Sequence, residues 1–117
     1  MKRSLLIAAA LLCALPAHAA EKRVYRIDSL IATHKGASII IEAKGAVQTG
    51  GWGRPRLHVI HSDRRALTLE FLATPPPPEM TVIGGLVPVA ASFRLKSHAT
   101  SVHVLAYENE IATQVLR

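Results

Sequence analysis

The sequence predicts an all-β fold, an antiparallel immunoglobulin-like β-sandwich of about seven strands, preceded by a cleaved signal peptide. Three observations carry the prediction. Beyond residue 19 the apolar residues recur with a period of two, and no stretch holds a period of 3.6 over three turns. Turn-forming residues interrupt this pattern at intervals of about ten residues, the spacing of short sandwich strands. β-Branched residues are dense throughout, as a half-buried pleated surface prefers. A small β-barrel is the alternative architecture. The cysteine–tryptophan–cysteine core of immunoglobulin domains is missing, so the name describes architecture alone.

The domain reading is a signal peptide over 1–19 and a single β-sandwich domain over 20–117. Lys2 and Arg3 supply a positive start, Ser4 to Leu15 is almost unbroken apolar chain, and Pro16-Ala17-His18-Ala19 places small residues where a signal peptidase cuts. Cleavage is expected after Ala19 or Ala20. The apolar run is shorter than the roughly 20 helical residues that cross a bilayer. The expected address is therefore periplasmic, or secreted, without stable membrane insertion. Cys13, the one cysteine, lies inside the signal, so the mature chain is expected to carry no disulfide and no thiol chemistry.

The strands follow in order. Tyr25, Ile27 and Ile31 alternate with Arg26, Asp28 and Leu30. Ala37, Ile39, Ile41, Ala43 and Val47 share one face of a second strand, after a short hairpin at His34-Lys35-Gly36. Gly50-Gly51-Trp52-Gly53-Arg54-Pro55 is a loop, because glycine permits positive φ and proline cannot donate to a ladder. Leu57 and Val59 alternate with Arg56 and His58, and Ser62 to Arg65 forms a polar turn before Leu67, Leu69 and Phe71. Pro75 to Pro78 is a stiff extended crossover between two sheets. A short strand at Met80 to Ile83 and a bend at Gly84-Gly85 precede Val87, Val89, Ala91, Phe93 and Leu95, where Pro88 marks an edge strand. Val102, Val104 and Ala106 pair with Ile111, Thr113 and Val115 across Glu108-Asn109, with Asn109 suited to a left-handed turn.

Composition narrows function. The chain has fourteen Lys and Arg against eight Asp and Glu; without Lys2 and Arg3 the balance is +4. These cations are scattered, and the aromatics Tyr25, Trp52, Phe71, Phe93 and Tyr107 are not interleaved with them, so no nucleic-acid partner is expected. No G-x-S-x-G elbow occurs, Ser62-Asp63 beside His61 reads as a turn, and Glu108 with Glu110 reads as a charged hairpin tip. No catalytic residue is assigned, and the chain is read as no enzyme, with no cofactor.

Two candidate sites remain. The loop around Trp52, Arg54 and Arg56 combines a large aromatic with arginines, the residue types most enriched where partners bind. The competing reading folds Trp52 back against the open end of the sandwich. The metal-binding alternative rests on His58, His61 and Asp63. Imidazole suits copper or zinc, and His61 could meet Asp63 across the turn. However, His58 and His61 stand three apart on a strand and should point to opposite faces.

The stretch Thr49-Gly50-Gly51-Trp52…Pro55-Arg56-Leu57, with the proline-rich link and the closing Tyr107-Glu108-Asn109-Glu110-Ile111 hairpin, resembles a group of small uncharacterised exported β-sandwich proteins of Gram-negative bacteria. That resemblance implies a periplasmic address and brings no activity. The immunoglobulin-like inhibitors of cysteine proteases are similar in length, but their Asn-Pro-Thr-Thr-Gly wedge is absent. The functional expectation is a non-enzymatic periplasmic binding module contacting an envelope protein or polymer through loops or a sheet edge near Pro88. A histidine-based copper or zinc protein and a hydrolase inhibitor are the alternatives.

Overall fold

A computed structural model describes residues 20–117. The expected signal peptide lies outside the described residues. The described chain is all-β, with eight strands: β1 Lys22–Arg23, β2 Arg26–Lys35, β3 Ser38–Thr49, β4 Gly53–Ser62, β5 Ala66–Thr74, β6 Gly84–Lys96, β7 Ser101–Leu105 and β8 Glu110–Leu116. Met80 to Ile83, expected as a short strand, is irregular, and Ile83 is 84% exposed. The Ile83 carbonyl accepts from the Gly50 N–H at 3.1 Å.

The purely antiparallel immunoglobulin-like sandwich is not what forms. The strands make one curled mixed sheet, a half-barrel, in the order β1-β5-β7-β8-β2-β3-β6, with β4 on the other side of β5. Two pairs are parallel, β5 with β7 and β2 with β8. The reason is connectivity. The crossover from β5 to β6 and the return to β7 bring the chain back beside β5 in the same direction. Local alternation carries no information about such non-local pairing. β4 and β6 form the two edges of the curl, so the edge position read from Pro88 is where β6 lies.

The core follows the alternation closely. Ile39, Ile41, Ala43 and Val47 of β3, Leu67, Leu69 and Phe71 of β5, and Val102 and Val104 of β7 are almost wholly buried in one cluster. No polar or charged side chain is buried among the described residues. In β2, however, the register shifts between Ile27 and Ser29, leaving Asp28 as an extra bulged residue. A single extra residue reverses every side chain beyond it. Leu30 and Ala32 therefore turn inward, and Ile31, expected beside Ile27, is 50% exposed.

The turns obey their chemistry. Gly36, at φ +62°, closes the β2–β3 hairpin. Asp63 Oδ1 accepts from the Arg65 and Ala66 N–H groups at 2.8 and 2.9 Å, an Asx turn joining β4 and β5. In the proline crossover the Met80 N–H donates to the Pro77 carbonyl at 2.9 Å, with Pro78 at the turn position that its fixed φ suits.

Asn109 corrects an expectation. Arg54 alone among the described non-glycine residues has a positive φ, so Asn109 does not take the left-handed form. Its side chain instead receives the Ile27 N–H and donates to the Ile27 carbonyl, both at 2.9 Å. The amide thus acts as a one-residue strand partner beside the β2 bulge, pinning the β7–β8 hairpin tip to the start of β2.

Candidate functional site

The groove at the tryptophan end

Segments distant in sequence meet at one end of the half-barrel. Val24 is fully buried and links β1 to β2, its N–H donating to the Phe71 carbonyl at 2.8 Å. The hairpin tip lies against it: the Tyr107 N–H donates to the Val24 carbonyl at 2.9 Å and the Glu108 N–H to the Tyr25 carbonyl at 2.7 Å. These bonds bring the rings of Tyr25 and Tyr107 together, with centroids 6.5 Å apart and planes at 27°. Tyr107 is 72% exposed, so much of its surface faces water.

Trp52 completes the cluster. It is half-buried, packs against the core and donates its indole N–H to Thr49 Oγ1 at 3.2 Å. The loop reaches this position through Gly51, at φ +87°. A Cβ there would lie 2.9 Å from Pro76 and 3.1 Å from Val82. The glycine–tryptophan loop and the proline crossover are thus packed on one another. Between them, Lys22, Arg23, Tyr25, Gln48, Trp52 and Tyr107 line an open groove of about 440 Å³. The indole covers the core, as the fold-back reading of Trp52 expects, and its remaining surface lines the groove.

The arginines of the loop

Arg54 and Arg56 are exposed on the first turns of β4. The register shifts between Gly53 and Arg56, and Arg54 sits in the left-handed region at φ 51° within that bulge. Arg56 grips Glu21 with two bonds, Nε to Oε2 at 2.7 Å and Nη2 to Oε1 at 2.5 Å. That bond from Arg56 holds the Glu21 carboxyl below its ordinary range, and the nearby charges of His58 and Arg54 act in the same direction. Glu21 directly precedes Lys22 of the groove. The aromatic groove and the arginines thus lie at one end of the molecule, joined through the Glu21-Lys22-Arg23 segment. Arg23 itself is held by Glu70 at 2.9 Å.

The histidines

The expected divergence of His58 and His61 is overturned by a second bulge. The register shifts between Val59 and His61, so His58 faces Glu70 and His61 faces Thr68, both on the outer surface of β5. His61 Nε2 lies 3.4 Å from Asp63 Oδ2. The Arg65 N–H and then the Ala66 N–H hold the Asp63 carboxyl below its usual range, with His61 a smaller contributor. No group of three or more His, Cys, Asp or Glu side chains able to hold a metal ion occurs among the described residues. His103 is paired with Glu110 at 2.8 Å across β7 and β8. His34 and His98 line a separate open depression of about 410 Å³ with Gly36, Thr100 and Arg117.

What the sequence reading did not name

Tyr25, Tyr107, Gln48 and Lys22 were absent from the candidate site. Only Trp52 carried a local signal, its glycine setting. The tyrosines stand beside strand ends, where the sequence offers nothing to distinguish a surface ring from a groove wall. No protein-family model, curated protein or solved structure matches the chain. Among the described residues no helix is long and apolar enough to cross a membrane.

Proposed function

We propose that the protein is a non-enzymatic binding module of the bacterial periplasm, exported by residues 1–19, that engages an envelope partner through its tryptophan end. One observation carries the reading: Trp52 forms a wall of an open groove with Tyr25 and Tyr107, while Arg54 and Arg56 stand at the same end. Aromatic and arginine side chains combine large contact area with polar edges, the mixture that dominates binding energy at interfaces. The loop rests on a rigid sheet, which suits recognition. Arg54 adds support, because a non-glycine residue in the left-handed region stores strain of about 1–3 kcal/mol, and such strain gathers at ligand contacts.

The test is site-specific photo-crosslinking in cells. A crosslinking residue at Tyr107 or Arg54 should trap a defined envelope component, and one at Thr113 on β8 should not. Equal yields from all three positions would sink the assignment. Sequencing the N-terminus of the protein recovered from the periplasm should give Ala20 or Glu21; an intact Met1 would remove the export part of the proposal.

A further inference from the structure

The end of the half-barrel away from Trp52 has a different character. Four segments meet there, joined by backbone bonds. The Ser97 N–H donates to the Ala37 carbonyl at 3.3 Å, tying the β6–β7 link to the β2–β3 hairpin. The Thr100 N–H donates to the Arg65 carbonyl at 2.9 Å, and the Val115 N–H to the Thr100 carbonyl at 2.8 Å. The β4–β5 turn and the end of β8 are thereby drawn to the same place. The open depression of His34, Gly36, His98, Thr100 and Arg117 lies among them.

Charge at this end is one-sided. Lys35, Arg64, Arg65, Lys96 and Arg117 are exposed, and none makes an ion pair among the described residues. Asp63 is the one carboxylate here, and it already receives the Arg65 and Ala66 N–H groups beside His61. The remaining carboxylates lie elsewhere. Glu21, Asp28, Glu70 and Glu110 are paired with Arg56, Arg26, Arg23 and His103. Glu79 follows the proline crossover packed on Gly51, and Glu108 is bonded to Tyr25, so both belong to the tryptophan end. Glu42 stands mid-strand on β3, with Lys44 next on its face and Arg94 on the adjoining strand. The length of β3, at about 3.3 Å per residue, sets the two ends roughly 35–40 Å apart. That is several times the screening length of about 8 Å at physiological salt, so the acids of one end do not offset the cations of the other.

The partner that fits is anionic and broad, because the cations are spread over separate segments. No Phe, Tyr or Trp stands among these segments, so nucleic bases find nothing to stack on. Exposed aliphatic side chains stand there instead. Leu116, 57% exposed, pairs with Thr33 beside His34, and Ile60, 46% exposed, precedes His61. Cations interspersed with exposed aliphatics match a bilayer interface, where phosphates meet the charges and the acyl boundary receives the apolar groups. We propose that this basic end docks on the surface of an anionic phospholipid bilayer, setting Lys35, Arg64, Arg65, Lys96 and Arg117 against the phosphates and holding the tryptophan groove away from the membrane.

Purified protein should co-sediment with vesicles of equal parts phosphatidylglycerol and phosphatidylcholine, not with pure phosphatidylcholine, and added salt should weaken the binding. Each cation near such a surface contributes a factor of about five, so Lys35→Gln with Lys96→Gln should weaken binding about twentyfold. Lys22→Gln with Lys44→Gln makes the same change in net charge elsewhere and should weaken it no more than about twofold. Both double variants should keep the circular dichroism spectrum. Brominated acyl chains in the phosphatidylglycerol vesicles should leave the emission of Trp52, the one tryptophan, unquenched.

Binding without preference for phosphatidylglycerol, binding unchanged by salt, equal losses from the two double variants, or quenching of Trp52 would each overturn the proposal. Tighter binding to a single-stranded oligonucleotide or an acidic peptide than to the vesicles would overturn it too. Crosslinking at Tyr107 and Arg54 tests the tryptophan end separately.

Discussion

β3 and β6 lie side by side and carry the same alternation, yet they live in different environments. Ile39, Ile41, Ala43 and Val47 are sealed in the core, while Val89, Ala91, Phe93 and Leu95 are only half covered and Val87 is exposed. The two strands are paired over most of their length, from Ser38 against Lys96 to Thr49 against Gly84. The difference lies in position. β3 has a strand on each side, and β6 is an edge of the curl with β3 as its one hydrogen-bonded neighbour. Alternation therefore tells which face is inward, and the sheet order decides how far inward it goes.

The largest expected effect concerns the close packing on the β3 side. A Cβ at Gly45 would lie 2.1 Å from the Arg26 carbonyl oxygen, a backbone atom that no rotamer change can move. Gly45→Ala should lower stability by about 3 kcal/mol or more, seen as a fall in the urea midpoint. An unchanged midpoint would mean that β2 does not approach β3 so closely at the bulge.

The next pair addresses the contrast between the strands directly. Ile41→Ala should destabilise by about 3 kcal/mol, within the range for buried large-to-small changes. Phe93→Ala removes a larger side chain, yet from a half-covered site, and should remove only about 2 kcal/mol. If Phe93→Ala proves the more damaging, β6 is covered in solution by something beyond its own chain.

Asn109→Ala should follow at about 2 kcal/mol, because it strands the Ile27 N–H and carbonyl at once. Asn109→Asp keeps the acceptor, loses the donor and should fall between. A left-handed turn role would instead make Asn109→Gly harmless, which distinguishes the two accounts.

The smallest effect is acid sensitivity. The Glu21 and Asp63 carboxyls are held below their ordinary range, by Arg56 and by the Arg65 and Ala66 N–H groups respectively. Folded values lower than unfolded ones add stability that is present at neutral pH and lost as the pH falls through the folded values, below about pH 4. Asp63→Asn should flatten part of that acid loss in thermal melts taken between neutral and acidic pH. Both are surface groups, so solvent screening keeps the change small.

The all-β class, the middles of the longer strands and the inward faces of β3, β5 and β7 were legible because period-two patterning is written locally. The Gly36 hairpin and the Asp63 turn were legible for the same reason, since each depends on a few adjacent residues. The strand ends were not, since Gly53-Arg54-Pro55 and Gly84-Gly85, expected as loop and bend, open β4 and β6, and the two-residue β1 is too short to carry a pattern. Ile31 and His61 were misplaced because the bulges at Asp28 and Ile60 leave no mark in hydrophobic order. Of the candidate site, the glycine-flanked Trp52 and its arginines could be read; their aromatic companions could not.

By itself the amino-acid order determined that this chain would be strands with one apolar side, broken where glycine, proline and aspartate demand it. Only the tertiary structure decided that the strands join as a curled sheet with two parallel pairs, and that Tyr25, Trp52 and Tyr107 share a groove. The physical reason is range. Side-chain direction along a strand is set by neighbouring residues, whereas strand pairing and the meeting of distant rings are set by which backbone donors and apolar faces remain to be satisfied once the chain has folded back on itself.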